Sequence, residues 1–400
     1  MLRGIDLEDA FLRVNTVLSR HAKLWTPQPF MHKTLPWEED FPAMSCFLRA
    51  LSEEQGRAME GDVYAIASAV APFFPEAQEI VDLALLVGPM TQGKEPDLGP
   101  FFGVDIPGRK LAQIEAFSRT LPDQGLDFLD WCGGKGHLGR MLGAWHRRHV
   151  TCLERQETLC ADGRALGLRD QVEMAFHCVD VLADQSAELL QPSHHVVALH
   201  ACGPLHRRLL EQAKPRQIRA IHLSPCCYVL DVVDHYKPLS TFVQDRGMPL
   251  TRNQVRLALQ ETVFQAQRLV HRRQRFNRWR LGFDCLQRDL RGIDAYRPMP
   301  TVSQALLDQG FTAFCHHMAG LIGLALPPDL DLSRYEEIGA LRQKEVLVLE
   351  LPRLLFRRAL EIWLVLDRGL FLHEQGYDVT VGLFCSHTLT PRNLLIQALR

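Results

Sequence analysis

Five short β-rich runs, separated by segments of helical periodicity, occupy the stretch of chain that begins at Leu126. The runs read LDFLDW, HVTCLE, EMAFHCVDV, HHVVALHA and IRAIHLS. Strands that alternate with helical spacers form a parallel sheet covered by helices on both faces. This alternation therefore predicts an α/β domain.

Two further strand candidates, YDVTVGLFC and NLLIQAL, lie near the end of the sequence and follow a helix that stops at Gly376. The β signal is absent between Asp231 and that helix, and the sequence there has helical periodicity. The simplest topology is one sheet interrupted by a helical insertion before the last two strands. The predicted organisation is an N-terminal helical region (1–107), the first part of the core (108–231), the helical insertion (232–346), and the last helix and strands of the core (347–400).

Charge and cysteine content limit the class of protein. A formal net charge of -2 gives no global field for attracting nucleic acid or an anionic membrane, so a polyanion would need a local patch. The 11 cysteines, two of them adjacent, do not form the pattern of a secreted disulfide framework. No targeting peptide is recognisable, and the longest apolar runs are shorter than the ~20 residues that cross a bilayer. We expect a cytoplasmic protein with no membrane association.

A glycine-rich turn joins the first predicted strand to a helix start. Gly134, Gly136 and Gly139 match the pattern GxGxxG, in which glycines allow a tight turn and let backbone N–H groups approach a ligand. Taken alone, the pattern also fits a turn with only a structural role, or a site for NAD.

Acidic residues at the ends of three successive strands favour one ligand. Glu154 can accept both hydroxyls of an adenosine ribose, and Asp180 can receive the exocyclic amine of adenine. Asp130 would repel a pyrophosphate but suits a cationic amino-acid group, which favours S-adenosylmethionine over NAD. The predicted cofactor-binding residues are Asp130, Cys132, Gly133, Gly134, Gly136, Glu154, Asp180, Val181 and His200.

The fourth and fifth strands end in residues that can take part in chemistry. The carboxyl ends of central parallel strands form a ligand crevice, so these residues should face the methyl donor. His200 is a candidate general base, or a structural histidine. Cys226 and Cys227 are small residues packed against the cofactor, or covalent nucleophiles. Tyr228 contacts the substrate, or belongs to the core. The predicted catalytic residues are His200, Cys226, Cys227 and Tyr228.

A zinc site is a further alternative for this group of residues. Cys202, Cys226 and Cys227 could converge with His200 or His222 on one ion. The sequence contains no CxxC pair among them, however, and such pairs are typical of structural zinc sites. We therefore predict no metal.

Taken together, several motifs resemble those of a known enzyme domain. DWCGGKGHLGR, LHACG, SPCCY, DRGLFLHEQG and TPRNLLIQA resemble a seven-strand, Rossmann-like S-adenosylmethionine-dependent methyltransferase domain. Methyltransferase-like proteins of the twenty-five type, the glutathione S-transferase C-terminal-domain-containing protein and the acceptor-stem tRNA 2′-O-methyltransferase share this domain. The resemblance covers roughly 108–231 and 347–400.

The resemblance implies a cofactor loop at Asp130 to Gly136, a ribose contact by Glu154 and an adenine contact by Asp180. The chain departs from the pattern at two places. Cys132 stands where many methyltransferases have the first glycine of DxGxGxG. Tyr228 and Val229 follow the paired cysteines, where the tRNA enzyme has two histidines, which weakens a transfer of its 2′-O reaction.

An arginine-rich segment suggests the substrate. Guanidinium groups bind phosphates bidentately, and the interleaved Phe276 and Trp279 could stack on unpaired bases. We predict an RNA substrate, tRNA or rRNA, bound by Arg272, Arg273, Arg275 and Trp279. A protein substrate, a small molecule, a non-catalytic cofactor-binding protein and a merely solvated charged face remain alternatives. The arginines of this segment are Arg268, Arg272, Arg273, Arg275, Arg278, Arg280, Arg288 and Arg291.

Overall fold

The computed structural model describes residues 1–94, 98–99, 102–260 and 267–400. For Gln267 and Arg268 it describes the backbone but not the side chain. Parts of the predicted N-terminal region and helical insertion, and the side chain of Arg268, therefore lie outside the description. Contacts divide the chain into two compact units. The first unit comprises Met1–Arg20, Asp82–Val263 and Arg357–Arg400, and the second comprises His21–Val81 and Phe264–Phe356. These divisions fall at other positions than the predicted boundaries at 107, 231 and 346.

The first unit contains a mixed sheet of eight strands in the order β1-β7-β8-β6-β5-β2-β3-β4. Strands β2 to β6 pair in parallel, and β8 lies antiparallel between β6 and β7. The strands are β1 (Leu2–Arg3), β2 (Asp127–Trp131), β3 (Val150–Glu154), β4 (Met174–Cys178), β5 (His194–Cys202), β6 (Ala220–Cys226), β7 (Asp378–Leu383) and β8 (Leu394–Leu399).

The strand count corrects the prediction of a seven-strand sheet. The extra strand is β1, whose Leu2 and Arg3 pair antiparallel with Val381 and Thr380 of β7. The other seven strands coincide with the predicted runs. The α/β class and the position of the last two strands are thereby confirmed.

Helices precede, separate and follow these strands. Short 3-10 helices lie at Leu83–Leu86, Asp184–Leu189, Tyr228–Asp231 and Arg256–Leu259. The α-helices are α1 (Asp6–Arg20), α2 (Ala22–Trp25), α3 (Pro42–Ala50), α4 (Glu53–Glu60), α5 (Val63–Val70), α6 (Ala77–Asp82), α7 (Gly108–Ser118), α8 (His137–His146), α9 (Glu157–Arg169), α10 (Pro204–Ala213), α11 (Thr241–Arg246), α12 (Arg252–Val255), α13 (Gln267–Arg291), α14 (Gln304–Leu307), α15 (Phe311–Ile322), α16 (Leu332–Leu354) and α17 (Arg357–Glu374).

The strand order creates a point, between β2 and β5, at which the chain reverses the direction in which it adds strands to the sheet. The chain runs outward from β2 through β3 to β4, and then returns to the other side of β2 as β5 and β6. Loops that leave the carboxyl ends of β2 and β5 therefore diverge and open a crevice, which is where ligands bind in open α/β sheets. A buried cluster that includes Phe117, Phe128, Leu142, Val150 and Val197 packs beside these central strands.

In the second unit, α13 and α16 pack closely. A Cβ atom on Gly339 would lie 2.5 Å from the carbonyl oxygen of Arg278, so a larger residue would push these backbones apart. Aromatic residues of α13 and α15, among them Phe283 and Phe314, form the core beside this contact. Among the described residues of either unit, no helix combines the length and apolar character needed to cross a membrane.

Candidate functional site

The turn between β2 and α8 is built from left-handed residues. Cys132, Gly134 and Gly136 have φ angles of 62°, 61° and 68°. A Cβ atom on Gly136 would lie 2.7 Å from Cζ of Phe176, whereas one on Gly134 would meet no atom within 4 Å. Gly136 is thus required by packing, and Gly134 leaves an open space in front of the turn. Cys132 adopts a conformation that usually costs a residue with a side chain ~1–3 kcal/mol.

Glu154 ties the end of β3 to this turn. Its Oε2 accepts a hydrogen bond from the backbone N–H of Gly134 at 3.2 Å, and its Oε1 accepts one from Gln156 at 2.9 Å. A carboxylate has about four acceptor sites, so both oxygens can still accept further hydrogen bonds. Glu154 can therefore support the turn and bind ligand hydroxyls at the same time.

Asp130 lies beneath the turn. It is 2% exposed, and its Oδ2 accepts a hydrogen bond from the backbone N–H of Gly139 in the first turn of α8. Burial raises the pKa of Asp130 to about 6, and the Gly139 hydrogen bond offsets only part of this effect. The carboxylate therefore supports the turn from beneath, and its interaction with a cationic ligand stays a prediction.

Asp180 follows β4 at the same edge of the sheet. Its Oδ1 accepts a hydrogen bond from the N–H of Leu182, and its Oδ2 lies 3.8 Å from Nη1 of Arg155. The Asp180 side chain is 41% exposed, so it can reach a ligand. The Val181 side chain is buried, which leaves only its backbone for such a contact.

Hydrogen bonding fixes the tautomer of the His200 imidazole ring. Its Nε2 lies 3.0 Å from Oε1 of Gln113, whose Nε2 donates to the carbonyl of Leu389. This orientation makes the Gln113 oxygen the acceptor, so His200 donates through Nε2 and keeps a lone pair on Nδ1. Burial lowers the pKa of His200 to about 4, so the ring is neutral near neutral pH. Sequence reasoning missed Gln113, since no motif surrounds it.

Three cysteine sulfurs meet at the ends of β5 and β6. The Sγ atoms of Cys202, Cys226 and Cys227 all lie within 4.8 Å of one another. Cys202 and Cys226 occupy paired positions in the two strands, and their sulfurs are 3.3 Å apart. The predicted pair, Cys226 and Cys227, therefore belongs to a group of three together with Cys202.

Tyr228 lies in the core. Its side chain is completely buried, its hydroxyl donates to the carbonyl of Pro225, and the Arg368 guanidinium lies 4.8 Å from its ring centroid. A fully buried ring cannot stack on a substrate. This corrects the expectation of a catalytic or substrate contact by Tyr228 and favours its structural alternative.

A buried polar network that the sequence did not reveal supports the end of β5. Nδ1 of His206 lies 3.0 Å from the carbonyl oxygen of Ala201, and Nε2 of His206 accepts a hydrogen bond from Nε of Arg368. Arg368 also donates to the hydroxyl of Tyr236, which in turn donates to Asp367. Ala201 lies between His200 and Cys202, so this network fixes the backbone that carries both residues. The only sequence signal was the DRG segment of α17.

The predicted substrate residues lie in the second unit, and two of them have intramolecular roles. Trp279 is 5% exposed, donates to Glu336 and packs against Phe314, so it is not available to stack on a base. Arg275 bonds to Asp308 at 3.0 Å and lies over the ring of Trp279. Burial corrects the assignment of Trp279, whereas Arg275, whose side chain is 40% exposed, stays a candidate.

The remaining arginines of α13 differ in their surroundings. Arg272 donates to the carbonyl of Val302, and both Arg272 and Arg273 are exposed. Arg288 is buried and pairs with Asp284 and Asp294. Only part of the predicted basic segment is therefore available to a polyanion.

Comparison with known proteins identifies part of the chain. Residues 109–230 match a protein-family profile described as a methyltransferase domain. This range includes β2 to β6, the glycine turn and the three cysteines. No curated protein and no solved structure matches the chain. Residues 109–230 are thus similar to a methyltransferase domain, and the narrower group suggested by the sequence motifs stays a prediction.

Proposed function

We propose that the protein is an S-adenosylmethionine-dependent methyltransferase that binds its cofactor at the carboxyl ends of β2 to β5. One observation carries the proposal: the open space at Gly134 lies in a turn that is held by the carboxylate of Glu154. The turn and the carboxylate both belong to the range that matches a methyltransferase domain.

The residues at this edge fit the cofactor in chemical character. S-adenosylmethionine supplies a methyl group activated by a sulfonium. The turn at Gly134 would accommodate the close approach of the ligand, Glu154 would accept from ribose hydroxyls and Asp180 would accept from the adenine amine. His200 is our candidate to accept a proton from the methylated group, because its Nδ1 lone pair is fixed by the hydrogen bond to Gln113.

Calorimetry with S-adenosylhomocysteine tests the proposal. We expect Glu154→Ala to weaken binding at least about tenfold, since a hydrogen bond to a charged group contributes roughly 1.5–3 kcal/mol. Glu157→Ala is the matched control, because Glu157 is an exposed glutamate of α9 whose carboxylate bonds to Arg164. Glu154→Gln tests whether the charge itself is needed.

Thermal unfolding of each variant separates lost affinity from lost structure. Unchanged affinity in folded Glu154→Ala, or tighter binding of NAD than of S-adenosylhomocysteine, would refute the cofactor assignment.

For the substrate, we propose RNA bound through two exposed arginines of α13, Arg272 and Arg273. Phosphate contacts release counterions, so the double change to glutamate should weaken RNA binding and flatten its salt dependence by ~0.7–0.9 per lost contact. Arg288→Gln serves as the contrast, because Arg288 is paired inside the second unit. Equal RNA affinity in wild type and the double variant at two salt concentrations would make a protein substrate the leading alternative.

A further inference from the structure

The three sulfurs of Cys202, Cys226 and Cys227 have the spacing that one metal ion requires. All three lie within 4.8 Å of one another, and the sulfurs of Cys202 and Cys226 are 3.3 Å apart. In tetrahedral zinc–thiolate sites the Zn–S distance of ~2.3 Å places sulfurs about 3.8 Å apart. Small side-chain rotations would therefore bring all three sulfurs to the bonding distance of a single ion.

The backbone explains how adjacent cysteines can point to the same place. Successive side chains of an extended strand project to opposite faces, so Cys226 and Cys227 would diverge if β6 continued. Instead, Cys227 adopts a left-handed conformation with φ 49°. Such a conformation usually costs a residue with a side chain ~1–3 kcal/mol, and strained residues of this kind cluster at functional sites. Its effect here is to place both sulfurs beside the sulfur of Cys202.

We propose that Cys202, Cys226 and Cys227 bind one thiophilic divalent metal ion, for which zinc is the best match. Thiolate ligands favour zinc over magnesium or calcium, which prefer oxygen. Cys226 is 5% exposed, and the other two cysteines are partly exposed, so an ion can enter from the crevice. The absence of a CxxC pair does not argue against the site, because the pairing of β5 with β6 brings the sulfurs together.

The fourth coordination position is available to a non-protein ligand. Within the part of the chain that the structure describes, no fourth His, Cys, Asp or Glu joins the three sulfurs at the same spacing. Three protein ligands and one free position are typical of catalytic zinc sites, whereas structural sites have four protein ligands. A water molecule or a substrate thiol, hydroxyl or amine bound there would lose its proton more easily.

A metal titration of the full-length, reduced protein tests the site. After removal of metal with a chelator, we expect the wild type to bind one Zn²⁺ or Co²⁺ per chain. The cobalt form should show sulfur-to-metal charge transfer and the intense visible absorption of a tetrahedral centre. Loss of a second-shell contact already weakens metal binding ~10–100-fold. Cys202→Ala and Cys227→Ala should therefore each weaken binding more than about 100-fold.

Cys178→Ala is the matched control. Cys178 belongs to a second group, with Glu157 and Cys160, whose members Cys178 and Glu157 are exposed. This variant should keep the stoichiometric ion and its spectrum. If it loses the ion while Cys202→Ala keeps it, the site has been assigned to the wrong group.

A second measurement does not depend on the folding of the variants. Zinc should protect Cys202, Cys226 and Cys227 of the wild type from alkylation, as read by mass spectrometry, and should leave Cys46 reactive. No stoichiometric uptake, no charge-transfer band, or equal alkylation with and without zinc would overturn the proposal. The affinity for S-adenosylhomocysteine, measured in parallel, separates failure of the metal site from failure of the proposed function.

Discussion

The backbone N–H of Gly134 donates to Oε2 of Glu154, so the turn that follows β2 is bonded to the end of β3. The glycine turn and the Glu154 carboxylate, which are predicted to contact different parts of one ligand, are therefore joined by a hydrogen bond. A change in Glu154 alters the turn, and a change in the turn alters the direction of the carboxylate.

Two glycines of the turn should respond differently to alanine. Gly136→Ala combines a positive φ with a Cβ atom 2.7 Å from Phe176, so we expect it to lower the free energy of unfolding by about 2–4 kcal/mol. Gly134→Ala has the positive φ but open space, so we expect a smaller loss, about 1–2 kcal/mol, together with weaker cofactor binding.

Urea unfolding and calorimetry on both variants check this pair. The opposite ranking, with Gly134→Ala the less stable variant, would contradict the packing argument. Normal cofactor affinity in Gly134→Ala would show that the open space in front of Gly134 is not used by the ligand.

Cofactor binding should release a proton from the carboxyl group of Asp130 to the solvent. The pKa of this buried carboxyl is about 6 in the free protein, and a cationic amino-acid group nearby favours the ionised form and lowers it. Release should be largest at a pH below ~6, between the pKa values of the free and the cofactor-bound protein, and should vanish above pH ~8, where Asp130 is already ionised. Calorimetry in buffers of different ionisation enthalpy measures the release directly.

The Asp130→Asn variant should bind without this release. Asp127→Asn is the control, because Asp127 is exposed at the other end of β2. Proton uptake in the wild type, or identical release in Asp130→Asn, would show that the ligand's cationic group lies elsewhere.

Asp105 should contribute stability that is lost in acid. Burial alone would raise its pKa, but hydrogen bonds from Arg169 and Arg140 outweigh burial and lower the pKa from 3.8 to about 2. A lowered pKa stabilises the folded state above the unfolded value and loses this effect as pH falls from about 4 to about 2. We expect Asp105→Asn to cost about 1 kcal/mol near neutral pH and progressively less as the pH falls through the folded-state pKa of about 2.

Unfolding free energies across this pH range provide the measurement. Asp184→Asn is the control, because Asp184 pairs with Arg208 while fully exposed. A difference between wild type and Asp105→Asn that is undiminished at the lowest pH would mean that the loss is steric rather than electrostatic.

Removal of the buried carboxylate of Asp367 should lower the free energy of unfolding more than removal of Asp105. The Asp367 carboxylate accepts hydrogen bonds from Tyr236 and from the backbone N–H groups of Leu239 and Ser240. Removal of one member of a buried charged network typically costs 3–5 kcal/mol, so we expect about that loss for Asp367→Ala. The exposed Asp378→Ala should stay within ~0.5 kcal/mol of wild type.

A double-mutant cycle with Arg368→Met isolates the coupling. The double variant should lose less stability than the sum of the single variants, because each single change leaves the other group uncompensated. Strictly additive losses would indicate that Asp367 and Arg368 stabilise the protein independently.

The strands and the glycine turn could be predicted because their signals are local. Apolar runs of strand length, separated by helical periodicity, place β2 to β6, and the glycines mark the turn before α8. The two-residue β1 could not be predicted, because Leu2 and Arg3 have no periodicity and become a strand only by pairing with β7.

The misassigned aromatics show why the site was only partly predictable. Trp279 alternates with arginines in sequence, but a helix turns about 100° per residue, so a buried ring can lie beside exposed charges. Similarly, Tyr228 follows two cysteines of the crevice, yet the chain enters a 3-10 helix there and its ring turns into the core. Gln113 and His206 act through contacts between distant segments, which one sequence does not reveal.

The placement of β8 between β6 and β7 has a consequence for how the chain folds. The parallel strands are made early in synthesis, but β6 gains its second neighbour only when Leu394–Leu399 has been made. Such non-local pairing slows folding, and until it forms β6 exposes an unpaired, apolar edge of the kind that leads to aggregation. Expression of C-terminally shortened chains should therefore yield insoluble protein, even where every residue of the glycine turn is present.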